Sequence, residues 1–160
     1  MSAGADAIKA LALALDAMKL RAGEEIAYAE NPAASVGAGT TEAGAAVLVT
    51  FPPVAFDGAT PVIAELMVAE VNTSAVLGVV GWIYLFSSAT SLGIAGVVRG
   101  PSAHASAVGV PVRVQRRFTP PAGTWTYSWR LSQSGGAVSA IGGAGGSGNR
   151  FPIAGRLLRA

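Results

Sequence analysis

Short apolar runs separated by turn residues fill residues 45–160, and this region shows no helical periodicity. The runs cover residues 45–51, 62–71, 77–86, 92–99, 108–118, 124–132, 137–141 and 152–158. Strands at this spacing, with no helices between them, are typical of an antiparallel sandwich. The sequence therefore predicts a mainly β fold, a jelly roll of about eight strands.

Two of these runs differ in what their faces require. In residues 124–132, Trp125, Tyr127 and Trp129 alternate with polar residues, so one face is expected in the core and the other in water. In residues 77–86 both faces are apolar: one has Leu77, Val79, Ile83 and Leu85, and the other has Val76, Val80, Trp82, Tyr84 and Phe86. A two-layer sandwich covers only one face of a strand. We therefore predict an oligomer interface on this strand, formed by Leu77, Val79, Ile83 and Leu85; cover by the N-terminal segment is the alternative.

Residues 6–20 are rich in Ala and Leu and predict a helix. Its apolar stripe consists of Ile8, Leu11, Leu15 and Met18. The stripe either packs on its own domain or anchors the chain, in a bundle or on another protein. We divide the chain into an attachment or oligomerisation segment at residues 1–44, with this helix, a short strand at 24–30 and a linker at 31–44, and a β-sandwich domain at residues 45–160.

The charge content is low for an exposed monomer. Charged residues make up 12% of the chain, about half the usual fraction of ~25%, so we expect partners to cover part of the apolar surface. Residues 1–42 contain six acids and three bases, whereas residues 43–160 contain three acids and eight bases. This asymmetry indicates different roles for the two segments. The absence of cysteine excludes disulfides and thiolate metal sites.

A membrane span is not expected, although residues 71–98 contain no charged side chain. Serines and a threonine at 87–91 interrupt this stretch, and its halves are rich in Val, Ile and aromatic residues, as two strands joined by a turn would be. The N-terminal apolar run lacks a preceding basic segment and is interrupted by Lys9, Asp16 and Lys19, so it does not read as a signal peptide. We predict a protein without membrane insertion.

Residues suited to catalysis or metal binding are scarce. The single histidine, His104, lies in a predicted loop with no nucleophile-elbow pattern. Glu65 and Glu70 are five apart on a predicted strand, so they are expected on opposite faces and not as a carboxylate pair. We predict no catalytic residues, no metal site and no cofactor, and therefore a protein that is not an enzyme.

Two further patterns are explained by local structure and not by a binding site. Residues 143–148 match G-x-G-x-x-G, but no helix and no acidic residue follow at the required spacing, so we predict a flexible hairpin loop. Arg113, Arg116 and Arg117, with Arg130, form too weak a basic cluster within strand-like segments to predict nucleic-acid binding.

The sequence of residues 112–130, VRVQRRFTPPAGTWTYSWR, is followed by Gly135-Gly136, a Gly-rich hairpin and the closing segment FPIAGRLLR at residues 151–159. Together with PVIAE at residues 61–65 leading to Val71-Asn72, these segments resemble small virion proteins of tailed phages of actinobacteria. The resemblance covers roughly residues 45–160, and its motifs are turns and strands. It implies a jelly roll similar to the trimeric heads of the complement-collagen and tumour-necrosis-factor type, and it supplies no catalytic residues.

The resemblance implies a non-enzymatic structural protein, a homotrimeric minor tail protein that docks by its N-terminal segment. The first alternative is a capsid decoration protein of the same fold. The expected location is the virion, in the tail in preference to the capsid, after assembly in the host cytoplasm. The expected partners are copies of itself and other virion proteins, with a host cell-surface receptor as a further candidate.

The second alternative is a soluble carbohydrate-binding β-sandwich module. The positions of Trp82, Trp125 and Trp129 distinguish it from a structural role. Burial of these side chains favours the structural role, whereas joint exposure on one surface favours carbohydrate binding.

Overall fold

A computed structural model of the chain describes residues 8–9, 23–74, 78–100, 108–143 and 151–160. These residues form twelve strands: β1 Glu25–Asn31, β2 Ser35–Gly37, β3 Ala46–Thr50, β4 Val54–Phe56, β5 Val62–Thr73, β6 Val80–Ser87, β7 Thr90–Arg99, β8 Val108–Phe118, β9 Gly123–Trp125, β10 Tyr127–Ser134, β11 Val138–Ile141 and β12 Ile153–Arg159. Every pairing between them is antiparallel. The predicted mainly β, antiparallel fold is confirmed.

The strands form two main sheets. In the six-stranded sheet the long strand β5 pairs with β8 on one side and with β12 and β11 on the other, and β1 and β2 complete the far edge. The four-stranded sheet has the order β3-β10-β6-β7. The short pair β4-β9 forms a separate two-stranded sheet. Because many neighbours in the sheets are distant in sequence, such as β1 with β12 and β3 with β10, the chain wraps in the manner of a jelly roll.

The core lies between the two main sheets. Leu48, Ile83, Leu85, Trp129 and Leu131 project from the four-stranded sheet, and Ala64, Leu66, Val68, Ile153 and Leu157 project from the six-stranded sheet; all are at most 1% exposed. The indole Nε1–H of Trp129 donates a hydrogen bond of 3.0 Å to the carbonyl oxygen of Glu65 in the opposite sheet. The bond satisfies a buried donor and fixes the two layers against each other.

The strand boundaries agree closely with the sequence pattern in places and differ in others. β8 has the predicted bounds. The predicted strand at 124–132 is divided at Thr126 into β9 and β10. The predicted linker contains β2, which pairs with β11, while β1 pairs with β12. Residues 25–37 therefore belong to the six-stranded sheet, and the hydrogen-bonded sandwich begins before the predicted boundary at residue 44.

The N-terminal helix stays a prediction. Leu11, Leu15 and Met18 lie outside the described residues, and the described pair Ile8-Lys9 is too short to define a helix. Ile8 is 71% exposed. Among the described residues, no helical segment has the length and apolarity required to cross a bilayer. The uncharged residues 71–98 contribute instead to β5, β6 and β7.

Candidate functional site

Strand β6 has the two apolar faces that its sequence predicts. The face predicted to form the oligomer interface lies in the core, and the other face points outward. Ile83 and Leu85 are fully buried, and Val79, just before the strand, is 1% exposed. All three belong to the core between the sheets, so they are not available to a partner. Leu77 lies outside the described residues. If β6 contributes to an oligomer interface, it does so with its other face.

The opposite side of β6 gives the four-stranded sheet an outer apolar face, formed by Val47, Trp82, Tyr84, Phe86, Ile94 and Val97. Pairing across β6 and β7 sets Tyr84 beside Ile94 and Trp82 beside Val97. Tyr84 and Phe86 are buried in a small cluster of their own, with Trp82 packed against it. Ile94, Val97 and Val47 remain 52%, 47% and 43% exposed. These three side chains leave apolar surface in water on one side of the molecule.

Neighbouring side chains of the same sheet cover the centre of this face. The guanidinium carbon of Arg130 lies 4.1 Å from the centroid of the Phe86 ring, in a cation–π arrangement. The Ser132 hydroxyl donates to the Tyr84 hydroxyl at 3.3 Å. The face therefore has a preorganised aromatic centre and an uncovered aliphatic rim.

The outer face of the six-stranded sheet is polar by comparison. Glu65 is only 2% exposed, although its neighbours Ala64 and Leu66 point into the core and its own side chain points outward. Its carboxylate accepts hydrogen bonds from Arg113 at 3.0 Å, from Arg156 and from Gln115. Burial alone would raise the pKa of Glu65, but the bonds from Arg156, Arg113 and Gln115 outweigh it and lower the pKa. Glu65 is therefore ionised at neutral pH, and its carboxylate links the side chains of the strands on both sides of β5.

The expected opposite orientation of Glu65 and Glu70 is wrong. A β-bulge between Val68 and Val71 inserts one residue into the alternation. Glu70 consequently precedes the core residue Val71 and lies over Gly109, on the same outer face as Glu65. At a strand rise of about 3.3 Å per residue, the two Cα atoms are still roughly 15 Å apart, so the two residues are not direct neighbours on that face.

Strand β7 forms one edge of the four-stranded sheet and β8 one edge of the six-stranded sheet, and a cleft opens between them. Gly96 packs so closely on β8 that a Cβ atom there would lie 2.7 Å from Cγ2 of Val114. Nearer the β6-β7 hairpin the strands leave a cavity of about 510 Å³, here called the edge cleft. Its aromatic lining consists of Phe118, Trp125 and Tyr127, and its hydroxyl groups belong to Ser87, Ser88, Thr90, Thr119 and Tyr127. A second groove of about 460 Å³ continues along the same edge past Val97 and Val110.

Arg116 crosses the edge cleft from β8 to β7. It donates one hydrogen bond to the carbonyl of Gly93 at 3.0 Å and another to the carbonyl of Leu92. These carbonyls are free because Gly93, at φ 100°, takes the left-handed conformation within an irregular part of the β6-β7 pairing. The backbone of β7 thus fixes the position of the guanidinium group.

The floor of the edge cleft is rigid. Tyr127 is 1% exposed, and its ring packs edge-on against Phe118 at 5.0 Å and Phe56 at 5.7 Å. Burial raises the pKa of Tyr127, against the opposing effect of a hydrogen bond with Ser87, so the hydroxyl is neutral at physiological pH. Trp125, half-buried at the rim, donates to the Ala122 carbonyl at 3.4 Å. The cleft is therefore largely preformed.

Arg116 could have been found in the sequence. Val112, Val114, Arg116 and Phe118 occupy alternate positions of β8. A charged residue in an otherwise apolar row is unusual and signals a special role. The aromatic side of the cleft gives no comparable signal, because β9 and the β6-β7 hairpin are brought to it only by the fold.

The three tryptophans do not share a surface. Trp129 is fully buried in the core, Trp82 lies on the outer apolar face, and Trp125 lies at the edge cleft. This distribution does not provide a broad aromatic platform. It leaves Trp125 as the tryptophan suited to a ligand in the edge cleft.

His104 and residues 144–150 of the Gly-rich segment lie outside the described residues. Within residues 23–74, 78–100, 108–143 and 151–160, no group of three or more His, Cys, Asp or Glu side chains could hold a metal ion. The predicted basic cluster does not form, because Arg113 contacts Glu65, Arg116 contacts β7, and Arg130 contacts Ser88 and Ser128. Arg117 is exposed on β8.

No protein-family model and no curated protein sequence matches the chain. Among solved structures, the chain is similar to Eiger TNF from S. frugiperda, at 9% identity over 88% of this chain and 94% of that one, with a TM-score of 0.43. It is also similar to the C-terminal CBM6 of LamC from Zobellia galactanivorans, at 15% identity over 82% and 98%, with a TM-score of 0.31. A carbohydrate binding module from Cellvibrio mixtus lichenase 5A matches at 11% identity over 86% and 99%, with a TM-score of 0.31. None of these likenesses is close enough to support a functional argument.

Proposed function

We propose that this chain is a non-enzymatic structural protein whose β-sandwich associates with copies of itself. The supporting observation is the outer apolar face, on which Ile94, Val97 and Val47 are each about half exposed next to a buried aromatic cluster. Burying the rest of each aliphatic side chain gains about 1 kcal/mol. Several such gains per subunit favour a second copy over water.

The finer part of the proposal is a homotrimer in the virion of a tailed phage. It is supported by the resemblance of residues 61–72, 112–130 and 151–159 to small virion proteins with trimeric jelly-roll heads. In this proposal the N-terminal segment docks on other tail proteins and the sandwich faces outward, towards a host receptor. Decoration of the capsid by the same fold is the alternative.

Self-association is tested by light scattering at micromolar concentration. The double variant Ile94→Lys, Val97→Lys places two charges on the outer apolar face and should convert the trimer to a monomer without loss of β structure. The matched control is Tyr28→Ser, because Tyr28 is 45% exposed on the outer side of the six-stranded sheet. The control should remain trimeric.

A wild-type chain that is monomeric at this concentration would overturn self-association. A control variant that dissociates, while the double variant does not, would move the interface to the six-stranded sheet. The virion location is tested separately, by immunogold labelling of particles from a phage that encodes the chain. Label on the tail supports a tail protein, label on the head supports the decoration protein, and unlabelled particles overturn both.

A further inference from the structure

The edge cleft has no part in the proposed self-association. It opens between β7 and β8, and none of its lining residues belongs to the outer apolar face, although Val97 of that face lines the second groove on the same edge. Its volume of about 510 Å³ is within the usual range for small-molecule sites, roughly 300–1,000 Å³. Such sites are mostly apolar, with a few fixed polar groups that orient the ligand, and the edge cleft has this composition.

The positive charge of Arg116 favours a ligand with a negative charge. A guanidinium group has five N–H donors, and the Leu92 and Gly93 carbonyls accept from only two nitrogens. None of the residues lining the cleft is acidic. In the described part of the chain, the ion pairs of the arginines involve Arg113, Arg156 and Arg159, and no carboxylate pairs with Arg116. An arginine of this kind favours a carboxylate, which it can bind through two parallel hydrogen bonds.

The other lining groups indicate the chemical class of the ligand. The half-buried Trp125 and the Phe118 ring offer apolar surface, while Ser87, Ser88, Thr90 and Thr119 offer hydroxyl groups that both donate and accept. A ligand that matches both has rings with apolar faces and many hydroxyl groups at their edges. Saccharides have this character. A free phosphate or a simple carboxylate would use Arg116 but not the aromatic surface.

Ser88 is held in a defined conformation at the mouth of the cleft. Its φ of 52° is left-handed, and it is the one non-glycine with a positive φ among the described residues. A positive φ is what a two-residue hairpin loop requires, and Ser88 is the first residue of the loop between β6 and β7. The Ser88 carbonyl accepts from Arg130 at 2.8 Å and its N–H donates to the Thr126 carbonyl at 2.8 Å. These bonds hold the strained residue at the mouth of the cleft.

From these observations we infer that the edge cleft binds a carboxylate-bearing saccharide, such as a uronic acid unit of an acidic glycan. Arg116 binds the carboxylate, Trp125 packs against the ring, and the hydroxyl groups of Ser88 and Thr90 bind the ring hydroxyls. The inference does not depend on the oligomeric state, and the two are measured separately.

The test is a titration of the full-length protein with trigalacturonate, followed by calorimetry and by the indole N–H resonance of Trp125. Maltotriose is the neutral probe, and acetate is the carboxylate without a ring. We expect trigalacturonate to bind at least about tenfold more tightly than either, with an affinity that falls as salt is added. Trp125→Ala should weaken binding by about tenfold or more.

Two further variants separate binding from folding. Thr90→Trp fills the mouth of the cleft from an exposed position and should abolish binding while the circular dichroism spectrum is unchanged. Trp82→Ala removes a tryptophan from the outer apolar face and should leave the affinity unchanged. Equal binding of maltotriose or acetate would overturn the inference, and so would absence of trigalacturonate binding at millimolar concentration, or binding that Thr90→Trp does not affect.

Discussion

The two sheets of this sandwich differ most on their outer sides. On the six-stranded sheet, the buried carboxylate of Glu65 is enclosed by Arg113, Arg156 and Gln115, which come from the two strands flanking β5. On the four-stranded sheet, Ile94 and Val97 are about half exposed. The polar groups of the first surface are paired within the chain, whereas the second leaves apolar side chains exposed, and we propose that a partner covers them. The low overall charge is therefore not spread evenly over the surface, and the exposed aliphatic side chains of the two outer faces concentrate on the four-stranded sheet.

The largest expected effect on stability concerns the outer face of the six-stranded sheet. Glu65→Ala removes the shared acceptor of two arginines and should lower the free energy of unfolding by about 2–4 kcal/mol, because breaking a buried ion pair leaves charges without a partner. Arg113 is 59% exposed, so its guanidinium group can be solvated when Glu65 is removed. The expected loss of stability is therefore smaller than for a fully buried ion pair. The measurement is urea unfolding. Glu42→Ala, in an exposed loop, is the control and should change stability by less than about 0.5 kcal/mol.

An equal loss in the two variants would show that the Glu65 cluster does not stabilise the sheet. A loss in Glu65→Ala that is accompanied by dissociation of the proposed trimer would place the six-stranded sheet in the subunit interface and reverse the comparison.

The second effect is acid destabilisation. Because the pKa of Glu65 is lower in the folded chain than the ordinary value of 4.5, its contribution to stability is present above that value and is lost as the pH falls through the folded pKa. The pKa of Asp57 is also lowered, to about 2, by the Thr60 side chain and by the backbone N–H groups of Thr60 and Ala59. We therefore expect the midpoint of urea unfolding to fall steadily below about pH 4.5.

Glu65→Gln separates these two carboxyl groups. The variant should be less stable than the wild type at neutral pH and should show a shallower acid decline, with the remainder due to Asp57. An acid decline as steep as that of the wild type would assign the effect to groups other than Glu65.

Local patterns predicted much of the fold. The alternation around Trp129 placed Tyr127 and Trp129 in the core, and both are at most 1% exposed, but the face expected in water is partly buried, with Ser128 at 4% and Ser132 at 1% exposed. The apolar and turn residues also placed β8 at its observed bounds. These features depend on period-two alternation and on nearby turns, which neighbouring residues determine.

The features that sequence reasoning missed depend on contacts between distant strands. For β6, both faces satisfy the same pattern, and only the position between β10 and β7 decides which one meets the core. The partners of Glu65 on β8 and β12 are 48 and 91 residues away. The bulge at 68–71 reversed the expected orientation of Glu70. Pairing between remote strands sets each of these, and a single sequence contains no periodic signal for it.

A smaller effect is expected at two turns. Ser88, in the β6-β7 turn, has a φ of 52°, whereas the turn before β5 uses Gly58 at 79°. Ser88→Gly relieves about 1 kcal/mol of left-handed strain and loses part of it to the greater freedom of the unfolded chain, so a gain of about 0.5 kcal/mol is expected. Gly58→Ala should destabilise by about 1–2 kcal/mol, since the new Cβ would lie 2.9 Å from the Ala122 nitrogen.

Thermal unfolding of both variants checks this contrast. Destabilisation by Ser88→Gly would mean that its side chain contributes more to the hairpin than the backbone strain costs.

The smallest effect on stability is expected from the segment that lies before both sheets. Deletion of residues 1–22 leaves β1 complete and keeps Gly23, whose N–H donates to the Arg159 carbonyl at 2.9 Å. Because β1 to β12 and the core lie beyond the cut, the shortened chain should unfold within about 0.5 kcal/mol of the full chain and should remain trimeric. Incorporation into particles should be lost, since Ile8, Leu11, Leu15 and Met18 form the predicted anchor. The measurements are circular dichroism, light scattering and incorporation into phage particles.

A shortened chain that aggregates or binds a hydrophobic dye would show that the N-terminal segment covers the outer apolar face. One that incorporates normally would move the anchor to the sandwich.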